Sequence, residues 1–171
     1  MGASARVNSA PDGTPGRTNG ASDSFKTPRT RVRNVGGMNP KPQLDVIGLV
    51  VADMGKALAF YRRLGLEIPA SADAEPHVDV LLPSGVRLAW DTIDTIRSFD
   101  PHWTSPSGGP RMNLAFHCDS PAAVDAAYAD LVNAGYDGHL PPWDAFWGQR
   151  YAVLRDPDGN DVALYAPTSG A

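Results

Sequence analysis

Hydrophobic residues recur along this chain with two different periods, and the change of period marks its elements. Leu44 to Ala52, LDVIGLVVA, is a short apolar run rich in β-formers and predicts a strand. Asp53 is placed to N-cap a helix in which Met54, Ala57, Leu58, Tyr61 and Leu64 fall on one face, with Gly65 as its stop. Leu66–Pro69 reads as a short strand and His77–Leu82 as another. Pro83-Ser84-Gly85 turns that strand into Val86–Trp90. The long stretch from Asp91 to Pro110, rich in Pro and Gly, reads as a connector. The order then repeats. Arg111–Cys118 is a strand, Asp119 or Ser120 a cap, and Pro121 sits at the first helical position. Val124, Tyr128, Leu131 and Val132 form the apolar stripe, and Gly135 is the stop. Tyr136–Leu140 is a strand, Pro141–Trp147 a loop, and a hairpin over Tyr151–Tyr165 closes the chain.

The halves align at a spacing of about 67 residues, with Val46–Val50 against Asn113–His117, which reads as an internal duplication. Each half is a β-α-β-β-β unit, so the expected class is α+β with two tandem modules, about 43–98 and 111–167.

Charge separates these modules from what precedes them. Residues 1–44 hold seven Lys/Arg and two acids, +5; the remainder holds eight basic and seventeen acidic residues, −9. The acidic part disfavours nucleic acid and attracts cationic small molecules. Residues 1–37, rich in Gly, Ser, Thr, Pro and Arg, lack periodicity and are expected to be a disordered basic extension ahead of a domain over 38–171. Met38 looks like a natural start, so the extension is expected to be a dispensable leader or a start-site artefact. Neither a signal core nor an apolar run of membrane-spanning length is present, so no membrane partner is expected. The single cysteine, Cys118, precludes an intramolecular disulfide, and a cytoplasmic location is the simplest expectation.

Trp147 to Pro167 reads WGQRYAVLRDPDGNDVALYAP. Its turn resembles the closing hairpin of the glyoxalase / bleomycin-resistance / extradiol-dioxygenase superfamily, the vicinal oxygen chelate proteins. LDVIGLVVADMGKALAFYRRLGL resembles the opening of the same fold, and together the likeness covers roughly residues 43–167. It implies eight strands curled into a cup, helices outside, a small-molecule site on the concave face, and a homodimer. Metal enzymes of the family take ligands from four cup-facing positions, which here match Val46, Ala89, Asn113 and Ala163. Val and Ala offer no donor and Asn113 alone is too weak, so neither a metal nor another cofactor is expected.

Period-two alternation assigns the faces. Ile47, Leu49, Val51, Leu114, Phe116, Cys118, Val162 and Leu164 go under the helices. Val46, Gly48, Val50, Arg87, Ala89, Asp91, Asn113, Ala115, His117, Asp161, Ala163 and Tyr165 face the cup. His117 is the candidate base or hydrogen-bonding contact, or a histidine satisfied by its neighbours; His77, His102 and His139 fall at strand ends or loops and read as solvated. Trp103, Trp143 and Trp147 lie in stretches that read as rim loops and can stack a flat ligand, although Trp147 can equally plug the end of the domain. Arg87 and Arg150 can hold an anionic group or spend themselves in surface ion pairs. The expected ligand contacts are therefore Val46, Val50, Arg87, Ala89, Trp103, Asn113, His117, Trp143, Trp147, Arg150, Ala163 and Tyr165. The expected function is metal-free binding of a small molecule, of the bleomycin-resistance type, sequestering a drug or metabolite. The alternative is a glyoxalase-like lyase or isomerase, or a dioxygenase-family enzyme, using His117 as base or displaced metal ligands.

Overall fold

Two parallel strand pairs, whose first strands start 67 residues apart in sequence, frame the molecule: Val46 lies beside Arg87 in one and Asn113 beside Asp161 in the other. The computed structural model describes residues 42–168, so the expectation for residues 1–37 lies outside the described part. The elements are β1 (Val46–Val51), α1 (Met54–Arg63), a 3-10 turn (Ala70–Ala74), β2 (His77–Leu81), β3 (Arg87–Thr92), α2 (Ile93–Phe99), β4 (Asn113–His117), α3 (Pro121–Asn133), β5 (Asp137–Ala145), β6 (Gln149–Arg155) and β7 (Asp161–Pro167). The strands form a three-stranded sheet, β1-β3-β2, and a four-stranded sheet, β4-β7-β6-β5. In both, the first strand of the module runs parallel to its last, so the α+β class and the duplicated module are as the sequence predicts. No helix among the described residues is long and apolar enough to cross a membrane.

Three local expectations are corrected. Leu66–Pro69 does not pair as a strand, so the described residues hold seven strands instead of eight. Arg62 explains why: its Nε donates to the Ile68 carbonyl at 2.7 Å and its Nη2 to the Pro69 carbonyl at 2.8 Å. Those are acceptors a neighbouring strand would use, and Pro69 has no N–H to offer in return. Asp91–Pro110 is not all connector. β3 runs on to Thr92, whose hydroxyl caps α2 by accepting from the Thr95 N–H at 3.2 Å. Pro141–Trp147 is not a loop up to its last residues. β5 continues through Pro141 and Pro142 to Ala145, with shifts of register against β6 at two places. It is the edge strand of its sheet, where prolines interrupt no second ladder.

The helices form for the reasons their sequences give. The Asp53 carboxylate accepts from the Lys56 N–H at 3.0 Å and the Ser120 hydroxyl from the Ala123 N–H at 3.2 Å. Gly65 and Gly135 end α1 and α3 at φ of 90° and 94°. One core serves both modules. Tyr61 of α1 packs its ring 5.1 Å from Trp90 on β3 and 6.5 Å from Phe116 on β4, while Phe60 meets Tyr136 at 5.0 Å. Burying side chains of this size stabilises by about 1.5–3 kcal/mol each.

The closing turn fastens the second module to the first. Asp156, 4% exposed, accepts on Oδ1 from the Asp158 and Asn160 N–H groups and on Oδ2 from Asn160 Nδ2 and the Tyr61 hydroxyl, the last at 2.9 Å. Asp158 reaches out in turn, accepting from the Ala52 N–H at 2.8 Å just after β1. Burial and the Asp156 carboxylate push the Tyr61 hydroxyl far above the ordinary tyrosine range, so it acts purely as a donor.

Candidate functional site

Tyr61 touches core-side residues of both sheets, so both sheets turn one face towards α1 and their other faces away from it. The outward faces carry the candidate residues, and strand register arranges them in rows. On the second sheet one row crosses all four strands: His117 pairs with Tyr165, Tyr165 with Tyr151, and Tyr151 with Trp143. The rings meet edge to face, His117 to Tyr165 at 5.4 Å and Trp143 to Tyr151 at 5.3 Å. Trp147, in the turn after β5, adds its ring 5.5 Å from Tyr151 and 6.3 Å from Trp143. The Asn113 amide lies 3.5 Å from the Tyr151 hydroxyl. The next row is Ala115, Ala163, Val153 and Leu140, and the third runs from Asn113 through Asp161 and Arg155 to Asp137. An aromatic row thus stands beside an apolar one, in which Ala115 and Leu140 are exposed and Ala163 and Val153 are buried.

The first sheet carries no such aromatic row. Its middle row is Gly48, Ala89 and Asp79, and a Cβ added to Gly48 would meet nothing within 4 Å, so the face is open there. On one side are Val46, Arg87 and Leu81. On the other are Val50, Asp91 and His77. Arg87 is held by Asp45, whose hydrogen bond chiefly raises its pKa, and by Asp79 at 3.4 Å. The His77 Nδ1 lies 2.8 Å from Asp91 Oδ1.

The structure therefore places Val46, Val50, Arg87 and Ala89 on the outward face of the first sheet, and Asn113, His117, Trp143, Trp147, Ala163 and Tyr165 on or beside that of the second. Arg150 is a correction. Even parity turns it to the other face, where its Nε lies 2.8 Å from Asp125 on α3 and its Nη1 3.2 Å from Asp144. Those bonds, Asp125 first, raise its pKa and occupy the guanidinium. Trp103 follows α2 and makes no ring contact with the aromatic row among the described residues. His77 is exposed at the start of β2, as the solvated reading has it, but it stands on the outward face with a carboxylate partner. Tyr151 belongs to the row although the sequence analysis did not single it out; its alternation with Ala152 and Leu154 was the available signal. Cys118 packs against the core, and burial chiefly raises its thiol pKa, so it stays protonated.

Metal chemistry at the four family positions has no donors to draw on. Ala89, Ala163 and Val46 are aliphatic, leaving only the Asn113 amide. No group of three or more His, Cys, Asp or Glu among the described residues is arranged to hold an ion. A shallow cleft of about 510 Å³ lies elsewhere, between Lys56 and Ala59 of α1 and Pro157 and Gly159 of the closing turn, and contains none of the aromatic row.

A sequence profile of the Glyoxalase/Bleomycin resistance protein/Dioxygenase superfamily matches residues 43–164. The fold is similar to the crystal structure of a glyoxalase/bleomycin resistance protein/dioxygenase from Nocardioides, at 26% identity and a TM-score of 0.58, covering 78% of this chain and 88% of that one. A glyoxalase/bleomycin resistance protein/dioxygenase family enzyme from Burkholderia phytofirmans PsJN shares the fold at 19% identity and a TM-score of 0.62, over 72% of this chain and 98% of that one. A glyoxalase-related enzyme from Fulvimarina pelagi does so at 20% identity and 0.58, over 75% and 99%. No curated protein matches this chain.

Proposed function

This chain belongs to the Glyoxalase/Bleomycin resistance protein/Dioxygenase superfamily, and from that membership we propose that it captures a flat, largely apolar small molecule on its outward sheet faces without a metal ion. The observation that carries the reading is the row His117, Tyr165, Tyr151 and Trp143, extended by Trp147, beside the floor of Ala115 and Ala163. Aromatic faces bind planar rings by dispersion and cations by their quadrupole, and small floor residues leave room for a ring to lie flat. The acidic balance of residues 45–171, −9, favours a neutral or cationic ligand over an anion. Capture is common to a protein that sequesters a drug or metabolite and to one that goes on to transform it.

A homodimer is part of the proposal. Phe146 is 97% exposed beside Trp147, and Leu81 and Leu140 are exposed on or near the same faces, which is apolar surface a second copy would cover. A cytoplasmic location also remains a proposal. Tryptophan fluorescence titrated with planar dyes such as proflavine tests the capture reading. Quenching is expected, with affinity falling at least tenfold in Tyr151→Ala and Trp143→Ala. Binding at unchanged affinity in both variants would remove the aromatic row from the site. Sedimentation showing only monomer at tens of micromolar, an order-of-magnitude choice, would remove the dimer.

A further inference from the structure

The strongest unassigned chemistry lies on the first sheet, away from the aromatic row. We propose that His77, held by Asp91, is a general base that takes a proton from an acidified C–H of a small molecule bound on the outward face of the first sheet. The proposal goes beyond capture and rests on that reading only in taking the outward faces as the ligand side.

Register makes His77 and Asp91 direct cross-strand partners on β2 and β3, so a regular ladder and not a flexible loop fixes their approach. Their contact is 2.8 Å between Nδ1 and Oδ1. An ionised carboxylate only accepts, so Nδ1 carries the hydrogen, and in the neutral imidazole the lone pair falls on Nε2. Among the described residues Nε2 has no such partner. The nearest carboxylate oxygen, Asp79 Oδ1, is 3.8 Å away, beyond hydrogen-bond reach. The Asp79 carboxylate instead leans on Arg87, which Asp45 also holds. The charged and titratable groups around the imidazole are therefore Asp91 on β3 and Asp79 on β2, with Arg87 behind Asp79. Beside it, Thr95 of α2 donates its hydroxyl to the Pro76 carbonyl, and Thr92, at the end of β3, donates its N–H to the same oxygen; α2 also carries Asp94 and Arg97.

The imidazole is half-exposed, and Gly48 in the neighbouring row faces open space, so a ligand can approach Nε2. His117 differs in the feature that matters. It stands against Tyr165, and no hydrogen bond to its ring is present among the described residues, so nothing fixes which nitrogen is the base. A base must have a defined lone pair, and the Asp91 contact gives His77 one.

A test substrate exists that needs no knowledge of the natural one. In 5-nitrobenzisoxazole, abstraction of the C3 proton by Nε2 turns the C–H electron pair into the third C–N bond and breaks the N–O bond. The product is a coloured cyanonitrophenolate, and the proton passes from the imidazolium to water. The full chain should accelerate this ring opening over an equal concentration of imidazole. His77→Gln should lower the rate about 100-fold. Asp91→Asn should lower it as well, because a side-chain amide can donate to Nδ1 and move the lone pair. His139→Gln should leave it unchanged. Nitrogen NMR of the histidine rings gives a readout apart from turnover: neutral His77 should be protonated on Nδ1 in the parent and lose that preference in Asp91→Asn. No acceleration over imidazole, acceleration surviving His77→Gln, or an Nε2-protonated His77 would each overturn the proposal. Tryptophan quenching by the same compound without turnover would overturn the base while leaving capture standing.

Discussion

Removing the Tyr61 hydroxyl tests whether the closing turn holds the modules together as described. Tyr61→Phe keeps the ring, which is fully buried against Trp90, Phe60 and Phe116, and deletes only the donor to Asp156 Oδ2. Hydrogen bonds to charged groups contribute about 1.5–3 kcal/mol. Asp156 keeps three other donors, two on Oδ1 and the Asn160 amide on Oδ2, so it is not orphaned and the lower half of that range applies. For a domain of this size 1 kcal/mol moves Tm by roughly 3–5 °C, so a fall of about 5–10 °C is expected. Tyr128→Phe is the internal comparison. Its hydroxyl donates at the same 2.9 Å to an uncharged acceptor, the Gly138 carbonyl, and should cost only about 0.5–1.5 kcal/mol. Urea unfolding followed by circular dichroism, with unchanged slope in both variants, gives the two values. A Tyr61→Phe loss below about 0.5 kcal/mol, or smaller than that of Tyr128→Phe, would refute the reasoning that a buried carboxylate anchors the turn.

Three further outcomes are expected. Burial raises the Asp158 pKa, so the folded state holds its proton more tightly than the unfolded chain, and stability falls as pH rises from about 3.9 to the raised native value. Asp158→Asn keeps an oxygen for the Ala52 N–H and should gain on the parent between pH 4 and pH 7, and equal pH dependence in thermal melts would contradict this. A Cβ at Gly138 would stand 2.3 Å from the Tyr128 hydroxyl oxygen and 2.7 Å from Val132 Cγ2, so Gly138→Ala should destabilise by about 1–3 kcal/mol by denaturant titration, and a neutral change would show that α3 shifts freely. Elemental analysis after dialysis should find no stoichiometric divalent metal in the parent but should find it in the triple variant Val46→His, Asn113→His, Ala163→Glu, and metal in the parent would overturn the donor argument.

The sequence made the modules legible because their signals are local. Caps at Asp53 and Ser120, stops at Gly65 and Gly135, and alternation in β1, β4 and β7 each depend on a few neighbouring residues. It misled where a distant side chain decided. Nothing within Leu66–Pro69 announces that Arg62 will take the carbonyls of Ile68 and Pro69. Pro141 and Pro142 read as loop because their tolerance depends on β5 being an edge, which is a property of the assembled sheet. Parity placed Arg87, Ala89, His117 and Ala163 on the outward face, but Arg150 was read without it and lies on the other. The aromatic row and the His77–Asp91 pair join residues from different strands, so register had to be known before either became visible.

The tie between the closing turn and α1 also bears on how the protein is made. Tyr61 and Asp156 are 95 residues apart, and Ala52 and Asp158 are 106 apart. At roughly 5–20 residues per second, the first strand and helix wait about 5–20 s on the ribosome for the carboxylates that anchor them. During that interval Phe60 also lacks Tyr136, and Tyr61 lacks Phe116, so the nascent first module displays aromatic surface it cannot cover by itself. Folding is therefore dominated by contacts distant in sequence, which makes it slow.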